Sequence, residues 1–197
     1  AHGLGAIPNV IFFKRLDANG AWASYHETLG ATKYMRLDSD SAQITASDEF
    51  NDTAPTSSVF TVQTDGGVNA SGTDNMIAYC FTNISGYSKF GGYTGNNSSD
   101  GTFVHTGFKP AWLMVKKYSD TNHWIIWDNK RSTKNGANII DKKLYANLNY
   151  AENGAEDVSF VSNGFKFHTN TGDWNEAQSY IYLAFAESPF VNSNGIP

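Results

Sequence analysis

Short apolar runs rich in aromatic and β-branched residues recur along the whole chain, separated by clusters of Gly, Asn, Asp and Ser. No long stretch carries apolar residues at the 3.6-residue period of an amphipathic helix, so the pattern predicts an all-β protein. The predicted strands span residues 9–15, 21–27, 34–37, 59–64, 75–82, 90–94, 102–106, 111–118, 123–129, 143–148, 158–161, 165–169 and 179–187.

One of these patterns occurs twice. The stretch GAIPNVIFFKRLDANGAWASYH at 5–26 returns without a gap at 107–128 as GFKPAWLMVKKYSDTNHWIIWD. The shared positions carry a Gly, a Pro, a Lys and a Trp: Gly5 and Gly107, Pro8 and Pro110, Lys14 and Lys116, Trp22 and Trp124. The repetition predicts two tandem homologous antiparallel β-sandwich repeats of the jelly-roll or lectin-like kind, with the first over residues 1–85 and the second, with a connector, over 86–197.

The connector at 86–106 contains two strand-like pieces around a Gly/Asn/Ser/Asp turn, and we expect it to form the leading hairpin of the second repeat. The first repeat has no equivalent. We therefore expect that the chain is part of a longer protein, or that its first repeat receives these strands from an upstream segment or a neighbour, because an unpaired sheet edge promotes aggregation.

Charge and composition mainly exclude possible partners and cross-links. Charged residues make up 17% of the chain and the net charge is −5, and no cluster of Lys and Arg is present to bind phosphates, which argues against nucleic acid as a partner. No apolar run approaches the roughly 20 residues of a membrane-spanning helix, so membrane insertion is not expected. The single Cys80 excludes an intrachain disulfide.

The sequence also predicts no metal, no cofactor and no catalytic residues. Asp38, Asp40 and the pair at 48–49 lack the spacing of a known calcium loop, and the histidines are too dispersed for a zinc site. Two carboxylates that follow predicted strands, Asp128 and Glu187, align with His26 and Phe81, so no carboxylate occupies one position in both repeats. A long-range catalytic pair stays open, but the protein is expected not to be an enzyme.

The candidate ligand-binding residues are aromatic and polar side chains that the repeat does not explain. Trp174 is the best candidate for an exposed, sugar-stacking aromatic, since it lies with Asp173 in a turn whose equivalent in the first repeat is a Gly/Val/Asn segment without a Trp. Trp127 and Asp128 replace Tyr25 and His26, and we expect specificity to lie where the copies differ. Trp22 and Trp124 recur in both copies, as core residues do.

Several strings extend this interpretation by resemblance. HGLGAIPNVIFFKR, NDTAPTSSVFTV, GYSKFGGYTGNNSSDGTFV and YIYLAFAESPF resemble, in this order, a repeat found in large virion-associated proteins of marine bacteriophages. The resemblance implies association with the virion, among tail-fibre or other surface components. As the first hypothesis, we expect a non-enzymatic tail-fibre or receptor-binding segment that recognises host surface glycans and assembles with other virion proteins, as a homo-oligomer. The resemblance supplies no catalytic residues. A capsid decoration or architectural spacer without a ligand, and a polysaccharide-degrading enzyme, remain as alternatives.

Overall fold

The computed structural model describes residues 1–70, 74–131, 138–154 and 157–189. These residues form strands, turns and irregular segments, with no helix among them, and the strands make three antiparallel sheets. The predicted all-β class is therefore confirmed. The chain divides into two compact units, Ala1–Thr82 and Asn83–Pro197.

The first unit contains one sheet, in which the strands pair in the order β4-β3-β2-β1-β5. Its strands are β1 (Val10–Arg15), β2 (Ala23–His26), β3 (Lys33–Arg36), β4 (Ile44–Thr45) and β5 (Met76–Phe81). The β1–β2 ladder sets Val10 opposite His26, and the β1–β5 ladder sets Phe12 opposite Tyr79. The short β4 was not predicted.

One face of this sheet carries the core of the first unit. Ile11 and Phe13 alternate along β1, and both are buried with Tyr25 of β2 and Tyr34 of β3. Irregular chain between β4 and β5 covers them with further apolar side chains, namely Phe50, Phe60, Val62 and Val68.

The predicted strand at 59–64 is wrong, although its apolar side chains do reach the core. This segment forms no ladder; the amide N–H of Gln63 donates to the carbonyl of Glu49 at 2.9 Å. An alternating pattern shows which side chains face inward, but a strand also needs a neighbouring strand to satisfy its backbone groups.

The second unit contains two sheets, in the orders β11-β9-β8-β14-β6 and β10-β12-β13-β7. Its strands are β6 (Ser88–Thr94), β7 (Phe103–His105), β8 (Pro110–Lys117), β9 (Ile125–Asp128), β10 (Ile139–Ile140), β11 (Lys143–Tyr145), β12 (Val158–Val161), β13 (Gly164–Phe167) and β14 (Ser179–Ala186). Side chains of both sheets share one buried cluster, with Leu113, Trp127 and Tyr180 from one sheet packed with Phe160 and Phe167 from the other.

The predicted leading hairpin at 86–106 is wrong. β6 pairs with β14, whereas β7 pairs with β13 in the other sheet, so the chain between them crosses from one sheet to the other. The crossing requires glycine at position 101, because a Cβ on Gly101 would lie 2.6 Å from the carbonyl oxygen of Phe167. A turn rich in Gly, Asn and Ser is equally compatible with a hairpin and with such a crossover.

Candidate functional site

Trp174 is buried, with 3% of its surface exposed. Its ring packs edge-on against Trp127 at 5.4 Å between centroids, and its indole N–H donates to Thr169 Oγ1 at 3.0 Å. Trp127 is itself fully buried. The expectation that Trp174 is an exposed aromatic is wrong, and neither indole presents a face on which a sugar ring can stack.

The turn around Trp174 folds inward because Asn175 is fully buried and satisfies the backbone of distant segments. Its Nδ2 donates to the carbonyls of Ser98 and Thr169, each at 2.8 Å, and its Oδ1 accepts from the N–H of Asn96 at 3.3 Å. The amide therefore joins this turn to the crossover between β6 and β7. A buried amide with several partners rigidifies the loops that it connects.

An ion pair lies beside the same indole. Lys143 Nζ is 2.8 Å from Asp157 Oδ2 and 4.3 Å from the centre of the Trp174 ring, and both charged side chains are buried. Burial raises the pKa of Asp157, while the lysine opposes that shift. The predicted turn is therefore supported from within by a charged pair rather than open to solvent.

The other predicted residues are divided between the two units. Tyr25 packs perpendicular to Phe50 at 5.6 Å, and the ring of buried His26 accepts the N–H of Thr28 at 3.2 Å. Asp128 lies in the other unit, where it accepts the N–H groups of residues 130 and 131 and pairs with the Arg131 guanidinium at 2.6 Å. These residues stabilise the two units separately.

An exposed aromatic side chain does lie on the second unit, in the segment that follows β11. Tyr150 is 66% exposed, and its ring is perpendicular to that of Tyr145 at 6.1 Å. The Tyr145 ring in turn meets His123 edge-on at 5.7 Å. We call Tyr145, Tyr150, His123, Asn147 and Asp173 the tyrosine patch.

Polar groups in the tyrosine patch are held in place. Asn147 Nδ2 lies 3.0 Å from His123 Nδ1, and Asn147 Oδ1 accepts the N–H of Trp124 at 3.0 Å. The carbonyl of Asp173 accepts Asn122 Nδ2 at 2.7 Å. Burial, and after it the charge of Asp173, raises the pKa of the Tyr145 hydroxyl, which stays a neutral donor at physiological pH.

Sequence reasoning missed the two tyrosines of this patch. Tyr150 lies in the polar segment that follows β11, where an isolated aromatic residue has no core to enter. That isolation was the available signal, since a large aromatic side chain in a polar loop is either buried by a distant segment or left exposed.

A second concave feature lies around Gly86 and Gly107, where two adjoining clefts measure about 290 and 320 Å³. Their polar groups include the ion pair between Lys109 and Glu187, at 2.9 Å. Phe108 also lines one cleft but is only 8% exposed. Neither cleft therefore offers the open aromatic face that the tyrosine patch provides.

Within the described ranges no three His, Cys, Asp or Glu side chains come together in a way that could hold a metal ion. The same part of the chain contains no helix long and apolar enough to cross a membrane.

The first unit contains a buried carboxyl group at Glu49, which is 1% exposed. Burial, assisted by Asp48 and the charge of Asp65, raises its pKa from the ordinary 4.5 to about 7, against an opposing hydrogen bond from Tyr34. Its Oε2 has no hydrogen-bond partner among the described residues. Glu49 is therefore protonated in the folded unit under mildly acidic conditions.

This carboxyl predicts an unusual pH dependence. Between pH 4.5 and about 7 the folded state keeps the Glu49 proton while the unfolded state loses it, so the free energy of unfolding falls as pH rises through this window. The expected loss between pH 5 and pH 8 is about 2–3 kcal/mol, because about two units of the window are crossed at about 1.4 kcal/mol per pKa unit. Urea unfolding at pH 5 and pH 8 measures it. The Glu49→Gln variant should lose most of this difference, and an equal pH dependence in both proteins would contradict the assignment.

Comparison with known proteins gives one result. Residues 1–189 match a family described as Domain of unknown function (DUF7483). No curated protein and no solved structure matches the chain.

Proposed function

We propose that this chain, which belongs to the DUF7483 family, is a non-enzymatic virion surface module of a bacteriophage that recognises host surface glycans. The tyrosine patch is the observation that carries the glycan part of the proposal. The resemblance of the strings at 2–15, 86–104 and 180–190 to a repeat of phage virion proteins supports the virion part. A tail-fibre or receptor-binding segment would account for both the glycan part and the virion part of the proposal.

The chemistry of the tyrosine patch suits a carbohydrate. Sugar rings offer apolar C–H faces that pack on exposed aromatic rings such as Tyr150, and aromatic side chains with a polar tip favour surfaces that are partly wet. Sugar hydroxyls both donate and accept hydrogen bonds, and the amide of Asn147 and the carboxylate of Asp173 complement them. A few fixed polar groups around apolar contact area are typical of small-molecule sites.

We also propose that the two units are copies of one repeat, although among the described residues only the second unit forms both sheets of a sandwich. The β1–β2 and β8–β9 ladders support this, because Val10 opposite His26 and Trp112 opposite Asp128 occupy equivalent positions of the duplicated stretch. The next ladders agree: Tyr79 lies opposite Phe12, and Leu183 lies opposite Met114. The ladders thus match Tyr79 with Leu183. The sequence alignment that sets Phe81 against Glu187 instead sets Tyr79 against Phe185, so the two matches differ by two residues.

Carboxylates of the second unit support a non-enzymatic role. Asp128 is engaged by Arg131, and Glu187 by Lys109 and by Asn129 Nδ2 at 2.7 Å. A glycosidase needs two carboxyl groups flanking its substrate. Release of reducing ends from host polysaccharide by the purified chain would favour the enzymatic alternative instead.

The test is a glycan array probed with the full chain, followed by titration of the glycans that bind. Tyr150→Ala should weaken binding at least about tenfold, equivalent to about 1.4 kcal/mol, whereas Tyr150→Phe should retain most of the affinity because it keeps the ring. Phe103→Ala is the matched control, since Phe103 is an aromatic residue that is also exposed (46%) but lies on β7, in the sheet with β13 and outside the tyrosine patch.

Two outcomes would overturn the glycan proposal: a folded chain that binds no glycan, or equal affinities for the wild type and Tyr150→Ala. The virion part is tested separately. Antibodies against the chain should label intact phage particles, at the tail for a fibre segment and over the head for a capsid decoration.

A further inference from the structure

The outer edge of β5 is an open sheet edge in the first unit. β5 pairs with β1 on one side, and no strand of the described residues pairs with its other side. Its sequence, MIAYCF, contains no charge and no proline, and Tyr79 on it is 44% exposed. Natural proteins protect exposed edges with charges, proline or a covering segment. β5 carries neither of the first two.

An apolar cavity adjoins this edge. It measures about 220 Å³ and lies between the irregular segment that covers the sheet and the start of β5. Phe60, Val62 and Val68 line it from the covering segment, and Met76 and Ala78 line it from β5. Walls of this kind offer dispersion contacts to an inserted apolar side chain.

The second unit contains the same arrangement with its edge covered. β14 pairs with β8 in the same way as β5 pairs with β1. Leu183 lies opposite Met114 and Tyr79 lies opposite Phe12, and Met114 and Phe12 are aligned positions of the duplicated stretch. β14 pairs with β6 on its other side, and its residues Tyr180 to Ala184 are buried. Tyr93 of β6 stacks on Tyr180 at 4.9 Å.

Tyr93 therefore occupies, in the second unit, the region that corresponds to the cavity in the first. Tyr180, on which it stacks, is equivalent to Met76 when the two ladders are matched. Tyr93 also contacts Phe167 at 5.6 Å and donates its hydroxyl to the carbonyl of Trp174 at 2.6 Å. An aromatic side chain from a covering strand completes that core.

We propose that the outer edge of β5 binds a separate strand of the β6 type, antiparallel to β5, whose aromatic side chain enters the cavity. The partner is an extended, weakly charged segment in which small residues flank an aromatic one, as Gly92 and Thr94 flank Tyr93 in β6. Backbone hydrogen bonds along β5 supply affinity and the cavity supplies specificity, as in other cases of strand addition. The proposal uses the correspondence of the ladders and is independent of glycan binding.

Symmetric pairing of two β5 strands fits less well. The residues of β5 that face the core are Met76, Ala78 and Cys80, none of which is aromatic. Two copies paired in this way would satisfy the backbone edge but leave both cavities unfilled.

The experiment adds a synthetic peptide of residues 86–97, GYSKFGGYTGNN, to the full chain. Hydrogen exchange of the amides at 76–81 should slow about tenfold or more at saturating peptide, because bound amides exchange only through opening. Alkylation of Cys80, the single cysteine of the chain, reports the same event because this half-buried thiol lies on β5. A peptide with Tyr93→Ala should bind at least tenfold more weakly, at about the level of a scrambled peptide.

A variant of the chain tests the cavity itself. Ala78→Phe fills it from within, so the variant should stay folded by circular dichroism and lose peptide binding. Tyr79→Ala is the matched control, because it removes an aromatic side chain from the opposite face of the same strand and should bind the peptide normally.

Three outcomes would overturn the proposal. The first is unchanged exchange at 76–81 with peptide present. The second is protection confined to 179–186, which would mean that the peptide displaces β6 from β14. The third is concentration-dependent protection of 76–81 without peptide, which would identify a second copy of the chain as the occupant.

Discussion

Replacement of Trp174 by alanine is expected to destabilise the second unit by about 3–5 kcal/mol, the range for truncating a buried tryptophan. The change removes a side chain that is 3% exposed and packs against Trp127 at 5.4 Å. It also deletes the indole hydrogen bond to Thr169 and the aromatic face beside the Lys143 ammonium. Hydrogen exchange during urea titration measures the loss, with faster opening at β14 and unchanged opening at β1.

Two substitutions calibrate this result. Trp174→Phe keeps an aromatic ring and loses the hydrogen bond, so it should cost less, about 1–2 kcal/mol. Phe103→Ala removes a ring that is 46% exposed and should change stability by no more than about 0.5 kcal/mol. Wild-type exchange at β14 in Trp174→Ala would mean that the indole is not a core element. If Trp174→Ala destabilises the second unit as expected, a loss of glycan binding in this variant reports unfolding and not the loss of a contact.

The second large effect is expected for Asp157→Ala, which leaves the Lys143 ammonium buried without its carboxylate. The two groups are 2.8 Å apart, with 8% and 3% of their side chains exposed. Removal of one partner of a buried ion pair typically costs about 3–5 kcal/mol, because the remaining charge has lost both water and partner. Urea unfolding at neutral pH provides the measurement.

The double variant Lys143→Met, Asp157→Leu separates the cost of an orphaned charge from the value of the pair. An apolar replacement of similar size is often neutral or even stabilising by about 1–4 kcal/mol, so the double variant should be clearly more stable than Asp157→Ala. If Asp157→Ala costs less than about 1 kcal/mol, the pair behaves as a solvated surface pair and the buried assignment fails.

Most strands could be predicted because alternation and turn residues report local structure directly. The segment 158–161 coincides with β12, and the predicted 75–82 contains β5, Met76–Phe81. The pairing partners could not be read in this way. Residues 59–64 alternate like a strand but lack a partner strand, and the turn after β6 leads to a different sheet from the one that a hairpin would give.

The candidate site was predicted less well because burial depends on residues far away in sequence. Trp174 lies in a Thr-Gly-Asp-Trp-Asn turn that is typical of a surface, yet Asn175 anchors that turn to Asn96 and Ser98. Lys143 is another example, since a lysine that follows Asp141 and Lys142 at the start of a predicted strand gives no sign of the buried aspartate that it meets. Of the six predicted residues, Asp173 alone belongs to the tyrosine patch.

The position of β14 has a consequence for how the chain is made. β14 is the last described strand, yet it inserts between β8 and β6, pairing Ser88 with Phe185 across most of the second unit. Since synthesis runs from the N-terminus, every strand of the first unit has left the ribosome long before β14 appears. During that interval β6 and β8 lack their common neighbour, and long-range pairing of this kind forms slowly. Chaperone dependence and cotranslational aggregation should therefore concentrate in the second unit.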